Sequence, residues 1–237
     1  MSTALVGLGS MATRHLLAEM EGLAAASGVA AVRFSAGGGV EVAERIRQRE
    51  QADVVVLAAR AVEELADQGH LLAETVRPAF VSEAVIGVPS GSDASVPTDT
   101  GQLRQLLLDA SSIGYSTGPS GKAFLSLVEE LGLTRQLDGR LEQARPGHPV
   151  GGMVAQGQID VGIQQLSEMA GLAGVTVLGP LPEPHRITSV FVAAVAATSR
   201  RREQATELVE FITSPSHREL VEGHGMSLAA QDPSTAS

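Results

Sequence analysis

The stretch Ser111-Ser-Ile-Gly-Tyr-Ser-Thr-Gly-Pro-Ser-Gly-Lys-Ala-Phe124 decides how the chain is read. Ile113 to Tyr115 is a short apolar strand, followed by a turn of small residues. The turn opens a helix that continues through Glu129 to Leu131. Pro119 suits the first helical turn, where a missing N–H costs nothing. Ser120 and Gly121 then leave backbone N–H groups uncovered at the positive end of a helix dipole, which suits an anion. An ordinary strand-to-helix turn has the same sequence signature, so the reading depends on the rest of the chain.

Working outward, the first 70 residues repeat the same arrangement. Thr3 to Val6 reads as a strand. Gly7-Leu-Gly-Ser-Met-Ala-Thr13 follows and opens a helix with Leu16, Leu17, Met20 and Leu23 on its apolar face. Val29 to Phe34 is a second strand, ending in Ser35-Ala-Gly-Gly-Gly39, and a helix through Val42 and Ile46 comes next. Asp53 to Leu57 is a continuous apolar run of the buried parallel type. Arg60 opens the helix after it. The order β-α-β-α-β-α predicts a parallel sheet covered by helices. Ligands of such sheets lie beyond the carboxyl ends of the strands. Those ends carry Ser10, the 35–39 loop and Arg60. Ser10 is also a good helix N-cap. Gly37, Gly38 and Gly39 suit either a flexible turn or a backbone nest for an anion.

Farther along, Val81 to Val88 alternates and reads as a strand leaving this first lobe. A helix is expected around Leu103 to Leu108. Pro146-Gly-His-Pro-Val150 is a second turn into a helix, and Ile159 to Ile163 is a buried strand followed by Gln164 and Gln165. Their side chains point to opposite faces, as period 2 requires. Val175 to Leu178 is a further strand. Ile187 to Ala197 reads as a strand returning to the first lobe, and Arg200 to Ile212 as an amphipathic helix.

Composition narrows the function. The 237 residues carry a formal net charge of -10, the reverse of a nucleic-acid footprint. An anionic ligand would have to be drawn by local dipoles and a few Arg side chains. No cysteine is present, so disulfides and thiolate chemistry are excluded. No His/carboxylate spacing suggests a metal, and no cofactor is expected. No apolar run reaches the roughly 18 residues of a membrane span, so membrane insertion is not expected. The N-terminus does not read as a signal peptide. The expected location is cytoplasmic as written, or periplasmic or extracellular if a leader was removed.

Five segments together resemble the molybdate-binding branch of the type II periplasmic solute-binding proteins. They are Ala52-Asp-Val-Val-Val-Leu-Ala58, Ile113 to Lys122, Val128-Glu-Glu-Leu-Gly-Leu133, Val154 to Ile163 and Phe211-Ile-Thr-Ser-Pro215. The resemblance runs over nearly the whole chain. It implies an α/β protein of two Rossmann-like lobes joined by two crossing strands, with lobe I at 1–82 plus 189–237 and lobe II at 83–188. It implies a small anion, an oxyanion or a small carboxylate, held in an interlobe cleft, and an ABC permease as partner if the chain is exported. Carried over by position, the contacts are Ser10 and Gly37 to Gly39 from the first lobe. From the second they are Ser120 with Gly121, Val150 through its backbone, and Gln165. Arg60 is added as a candidate carboxylate clamp. The sequence departs from the branch in three places. Gly replaces most of its serine-rich second loop, Ser120 stands where it has another small residue, and Gln165 stands where it has tyrosine.

The same architecture is shared by an aconitate isomerase. The alternative expectation is therefore a cytoplasmic isomerase of an unsaturated di- or tricarboxylate. Such chemistry needs an acid/base group, for which His15, His148 and His185 are the candidates. Gly7-Leu-Gly-Ser-Met-Ala12 also matches a dinucleotide fingerprint. The second strand, however, ends in Phe34-Ser35 where that fold needs an acidic residue.

Overall fold

In the computed structural model, residues 4–145 and 148–230 are described. The protein is mixed α/β and divides into two compact units, Met1–Val81 with Val190–Ser237, and Ser82–Ser189. The first unit contains β1 (Leu5–Ser10), α1 (Arg14–Ala26), β2 (Val32–Gly37), α2 (Gly39–Arg47), β3 (Val54–Ala58) and α3 (Ala59–Asp67). A single 3₁₀ turn, Met11–Thr13, separates β1 from α1. The long strand β4 (Arg77–Pro89) then carries the chain into the second unit. That unit contains α4 (Thr100–Asp109), β5 (Ile113–Tyr115), α5 (Pro119–Glu130), β6 (Leu141–Gln143), α6 (Val150–Ala155), β7 (Val161–Gln165), α7 (Leu166–Met169) and β8 (Val175–Pro180). Strand β9 (Thr188–Val195) returns to the first unit, which closes with α8 (Arg202–Ile212), α9 (Arg218–Gly223) and β10 (Ser227–Leu228).

In the first unit β1 lies parallel between β2 and β3, and β9 pairs antiparallel with β3. The β3 run alternates between two cores. Val54 and Val56 face one with Leu16, Leu17 and Met20 of α1 and Leu208, Val209 and Ile212 of α8. Val55 and Leu57 face the other with Val42 and Ile46 of α2 and Val62 and Leu65 of α3. All four β3 residues are fully buried, each contributing about 1.5–3 kcal/mol of apolar burial. In the second unit β5 lies parallel between β6 and β7, and β4 pairs antiparallel with β7 and β8. Helices α4 and α5 cover one face through Leu103, Leu107, Phe124 and Val128. Val150, Val154 and Met169 cover the other.

Strand β1 ends at Ser10 where the sequence pattern suggested Val6, and β2 ends at Gly37 where it suggested Phe34. Gly7 and Gly9 therefore sit inside β1 and not in the turn after it. A Cβ on Gly7 would lie 2.3 Å from the Phe34 ring, its register partner on β2, and one on Gly9 would lie 2.7 Å from Leu17. These glycines make room for neighbouring side chains. The dinucleotide fingerprint is a packing pattern here.

Candidate functional site

Each unit presents its predicted site residues at the carboxyl ends of its parallel strands. In the first unit Ser10 ends β1 and is the register partner of Gly37, which ends β2. Ser10 caps the 3₁₀ turn by position, yet its side chain makes no capping hydrogen bond. Its carbonyl instead accepts from Thr13 Oγ1 at 2.9 Å. Helix α2 starts beside this pair with Gly38 as its N-cap and no side chain covering its first N–H groups. Gly37, Gly38 and Gly39 thus run from the end of β2 into the start of α2, with Ser10 beside Gly37 in the sheet register. One negative group already lies against Gly37. Glu41 Oε2 comes within 3.3 Å of where a Cβ on Gly37 would be. An anion placed there would meet that carboxylate as well as the helix dipole. Arg60, in the first turn of α3, points to solvent and pairs with Glu64 at 3.1 Å. Its side chain is 89% exposed.

In the second unit α5 begins at Pro119 with Gly118 as N-cap, again with no side-chain cap. Ser120 is buried and its hydroxyl shares a 3.0 Å hydrogen bond with Ser116. Gly121 is packed against the preceding turn so tightly that an added Cβ would be 1.8 Å from the Ser116 carbonyl oxygen. No side chain other than glycine fits without moving backbone. Lys122, the only lysine, is exposed one residue later.

Val150 starts α6 and is fully buried. It stands over Gly114 and Gly162, register partners on β5 and β7, where added Cβ atoms would come within 3.3 and 2.7 Å of its Cγ1. The next N–H, that of Gly151, is taken by Gln164 Oε1 at 2.8 Å, and Gln164 Nε2 donates to Glu168 at 2.9 Å. The two glutamines do point to opposite faces. The Gln165 amide reaches Ser82 and Ser189 on β4 and β9, both at 2.8 Å, in the orientation that satisfies nitrogen and oxygen together. Gln165 is nearly buried, and its amide bridges these strands. Pro146 and Gly147, the first half of the predicted turn into α6, lie outside the described residues.

Sequence reasoning missed Gln164 as a cap and Glu41 as a neighbour of the glycine turn. The spacing of Gly38 and Glu41, N-cap to N3, was the available signal for the second. The hollows beside α8 include none of the predicted residues. One of about 460 Å³ sets Glu74, Glu203, Glu207 and Glu210 against the single arginine Arg202, a balance that does not suit an anion, and the other is lined by Arg200, Arg201 and Arg202 with Glu203. Among the described residues no group of three or more His, Cys, Asp or Glu side chains could hold a metal ion. No helix among them is long and apolar enough to cross a membrane.

Of the histidines, His185 bonds Thr100 Oγ1 at 2.9 Å within the second unit. His15 Nε2 lies 2.9 Å from Arg14 Nη2 at the start of α1. His217, near the end of α8, has its pKa lowered by burial, with a partial offset from a hydrogen bond to the Phe211 backbone.

The comparisons agree with this architecture. A curated aconitate isomerase from Pseudomonas sp is 27% identical over 195 residues, covering 81% of this chain and 73% of that protein. The periplasmic molybdate-binding protein of Azotobacter vinelandii superposes with a TM-score of 0.80 at 20% identity, covering 95% of this chain and all of that one. The sulfate-binding protein SubI of Mycobacterium tuberculosis H37Rv gives 0.77 at 18% identity, covering 99% and 89%. Residues 6–227 match the family model described as bacterial extracellular solute-binding protein, and the chain belongs to that family.

Proposed function

We propose that the protein binds a small anion, an oxyanion or a small carboxylate, through uncapped helix starts and hydroxyls at the carboxyl ends of its parallel strands. One observation carries this reading. The Ser10 side chain makes no capping bond at the end of β1, in register with Gly37, where α2 begins uncapped. Exposed helix starts contribute about 0.3–1 kcal/mol each, and hydrogen bonds to a charged ligand about 1.5–3 kcal/mol each. A handful of these reaches the roughly 8 kcal/mol of micromolar affinity. The molybdate- and sulfate-binding neighbours support the class of ligand. An exported form would deliver it to an ABC permease. Ser10, Gly37 to Gly39, Ser120, Gly121 and the Val150 backbone are the proposed contacts. Arg60 and Gln165 are secondary, since each already has a protein partner.

A thermal-shift screen tests this, with molybdate, tungstate and sulfate set against aconitate and citraconate. Stabilisation by at least one anion, saturating in the micromolar range, is the expected result. No shift with any of them removes the proposal.

A second reading has its own support in the identity with aconitate isomerase. The protein would act on an unsaturated tricarboxylate by moving a proton between carbons next to carboxylates. Solvent deuterium entering bound aconitate is the expected result, and binding without exchange rejects it.

A further inference from the structure

We infer that Arg14 and His15, at the start of α1, form a carboxylate-gated proton-transfer pair. The inference rests on the isomerase reading and names the groups that would perform it. Arg14 Nη2 lies 2.9 Å from His15 Nε2. A guanidinium only donates, so Nε2 accepts through its lone pair and the ring proton sits on Nδ1. Several other arginines, among them Arg33, Arg45, Arg60, Arg186 and Arg201, pair with a carboxylate. Arg14 makes no such ion pair among the described residues and is matched with a neutral base instead.

The position is unusual for a cation. The first turn of a helix favours negative charge. Both side chains are exposed, so burial does not hold them together. They follow Ser10 by one 3₁₀ turn, roughly 8 Å of axial rise at the usual 1.5–2.0 Å per residue. The proposed anion site and the pair therefore share the β1–α1 junction.

The chemistry follows from relative bond strength. A carboxylate offers Arg14 a charge-assisted, bidentate partner, which outcompetes a neutral imidazole. Its arrival draws the guanidinium away and uncovers the Nε2 lone pair. His15 then takes a proton from the carbon next to that carboxylate. The C–H bond breaks, an N–H bond forms, and the electron pair spreads into the adjacent double bond. The same N–H returns the proton to the far carbon of the three-carbon unit. Atoms and charge balance, and no redox partner is needed.

The test uses the full chain, aconitate and heavy water, followed by proton NMR, with aconitate-induced thermal shift as the binding readout. Wild-type protein should bind and exchange. H15Q should keep the thermal shift and lose exchange by about 100-fold or more, the usual scale of acid/base catalysis. R14Q should lose most of the thermal shift, and R14K should recover part of it. Exchange by H15Q at the wild-type rate overturns the pair and leaves the isomerase reading standing. Binding without exchange in the wild type overturns both. A shift with oxyanions alone, none with aconitate, also overturns both and leaves the anion binder.

Discussion

Asp53 Oδ2 accepts from Arg201 Nη2 at 2.8 Å and fastens the start of β3 to the start of α8, 148 residues away. The same carboxylate accepts from the Val6 N–H at 2.9 Å and from Ser199 Oγ at 2.7 Å. Asp53 is almost fully buried, whereas the Arg201 side chain is 28% exposed. Removing the carboxylate takes the acceptor from a backbone N–H and a hydroxyl and the ion-pair partner from a half-buried guanidinium, which keeps its bond to the Ala4 carbonyl. Asp53→Ala should therefore cost about 3 kcal/mol. For a chain of this length that is about 6–12 °C in Tm. Scanning calorimetry on both proteins measures it, and a drop under 2 °C would show that the network is dispensable.

His217 gives stability a pH dependence with a defined sign. Burial holds its folded pKa below the ordinary 6.5, and the hydrogen bond to the Phe211 backbone offsets this only in part. Its Nε2 is buried without a partner, and the ring lies 4.5 Å from that of Phe211. The unfolded chain takes up the proton first, so stability is full above about pH 6.5 and declines as pH falls through the lower, folded pKa. His217→Phe keeps the ring contact and removes the titration. Tm measured from pH 8 to pH 5 should fall more steeply in the wild type than in H217F. Parallel curves would remove His217 from the account.

Two glycines of the proposed site separate packing from ligand approach. Gly121 cannot accept a Cβ without displacing the Ser116 carbonyl. Gly39, at the first position of α2, has open space where its Cβ would go. Gly121→Ala should destabilise by 2 kcal/mol or more, in the range of overpacked cores. Gly39→Ala should stabilise by about 0.5–1 kcal/mol through reduced backbone entropy. If an anion approaches the α2 backbone closely, G39A will weaken anion binding while raising Tm, two readouts moving in opposite directions. Binding unchanged in G39A would take the glycine turn out of the contact set.

The sequence made some of this legible and hid the rest for physical reasons. Strand β3 is placed within one residue because a run of buried β-branched residues has few alternatives. The starts of α5 and α8 fall near their expected places because Pro119 and the apolar face of α8 mark them. Strands β6 and β10 went unseen. Leu141-Glu-Gln143 and Ser227-Leu228 have no periodicity of their own and are extended because a neighbour pairs with them. At the site, the adjacency of Ser10 and Gly37 follows from the βαβ order alone. That Gln164 covers the α6 start and Gln165 bridges β4 and β9 depends on where long side chains end, which strand period does not specify.

Ser10 and Ser120 should behave differently, although both are small hydroxyls proposed to meet the ligand. Ser10 makes no capping bond, so Ser10→Ala removes no bond that holds the helix start, and Tm should stay within about 1–2 °C. If its hydroxyl donates to the anion, the loss of about 1.5–3 kcal/mol weakens binding roughly 10- to 150-fold. Ser120 is buried and bonded to Ser116, so Ser120→Ala leaves that hydroxyl short of a partner and costs about 1 kcal/mol in the free protein. Isothermal titration with whichever anion stabilises the wild type reads the first effect, and unfolding in urea reads the second. An S10A protein that binds as tightly as the wild type would move the ligand away from the end of β1, whatever S120A does.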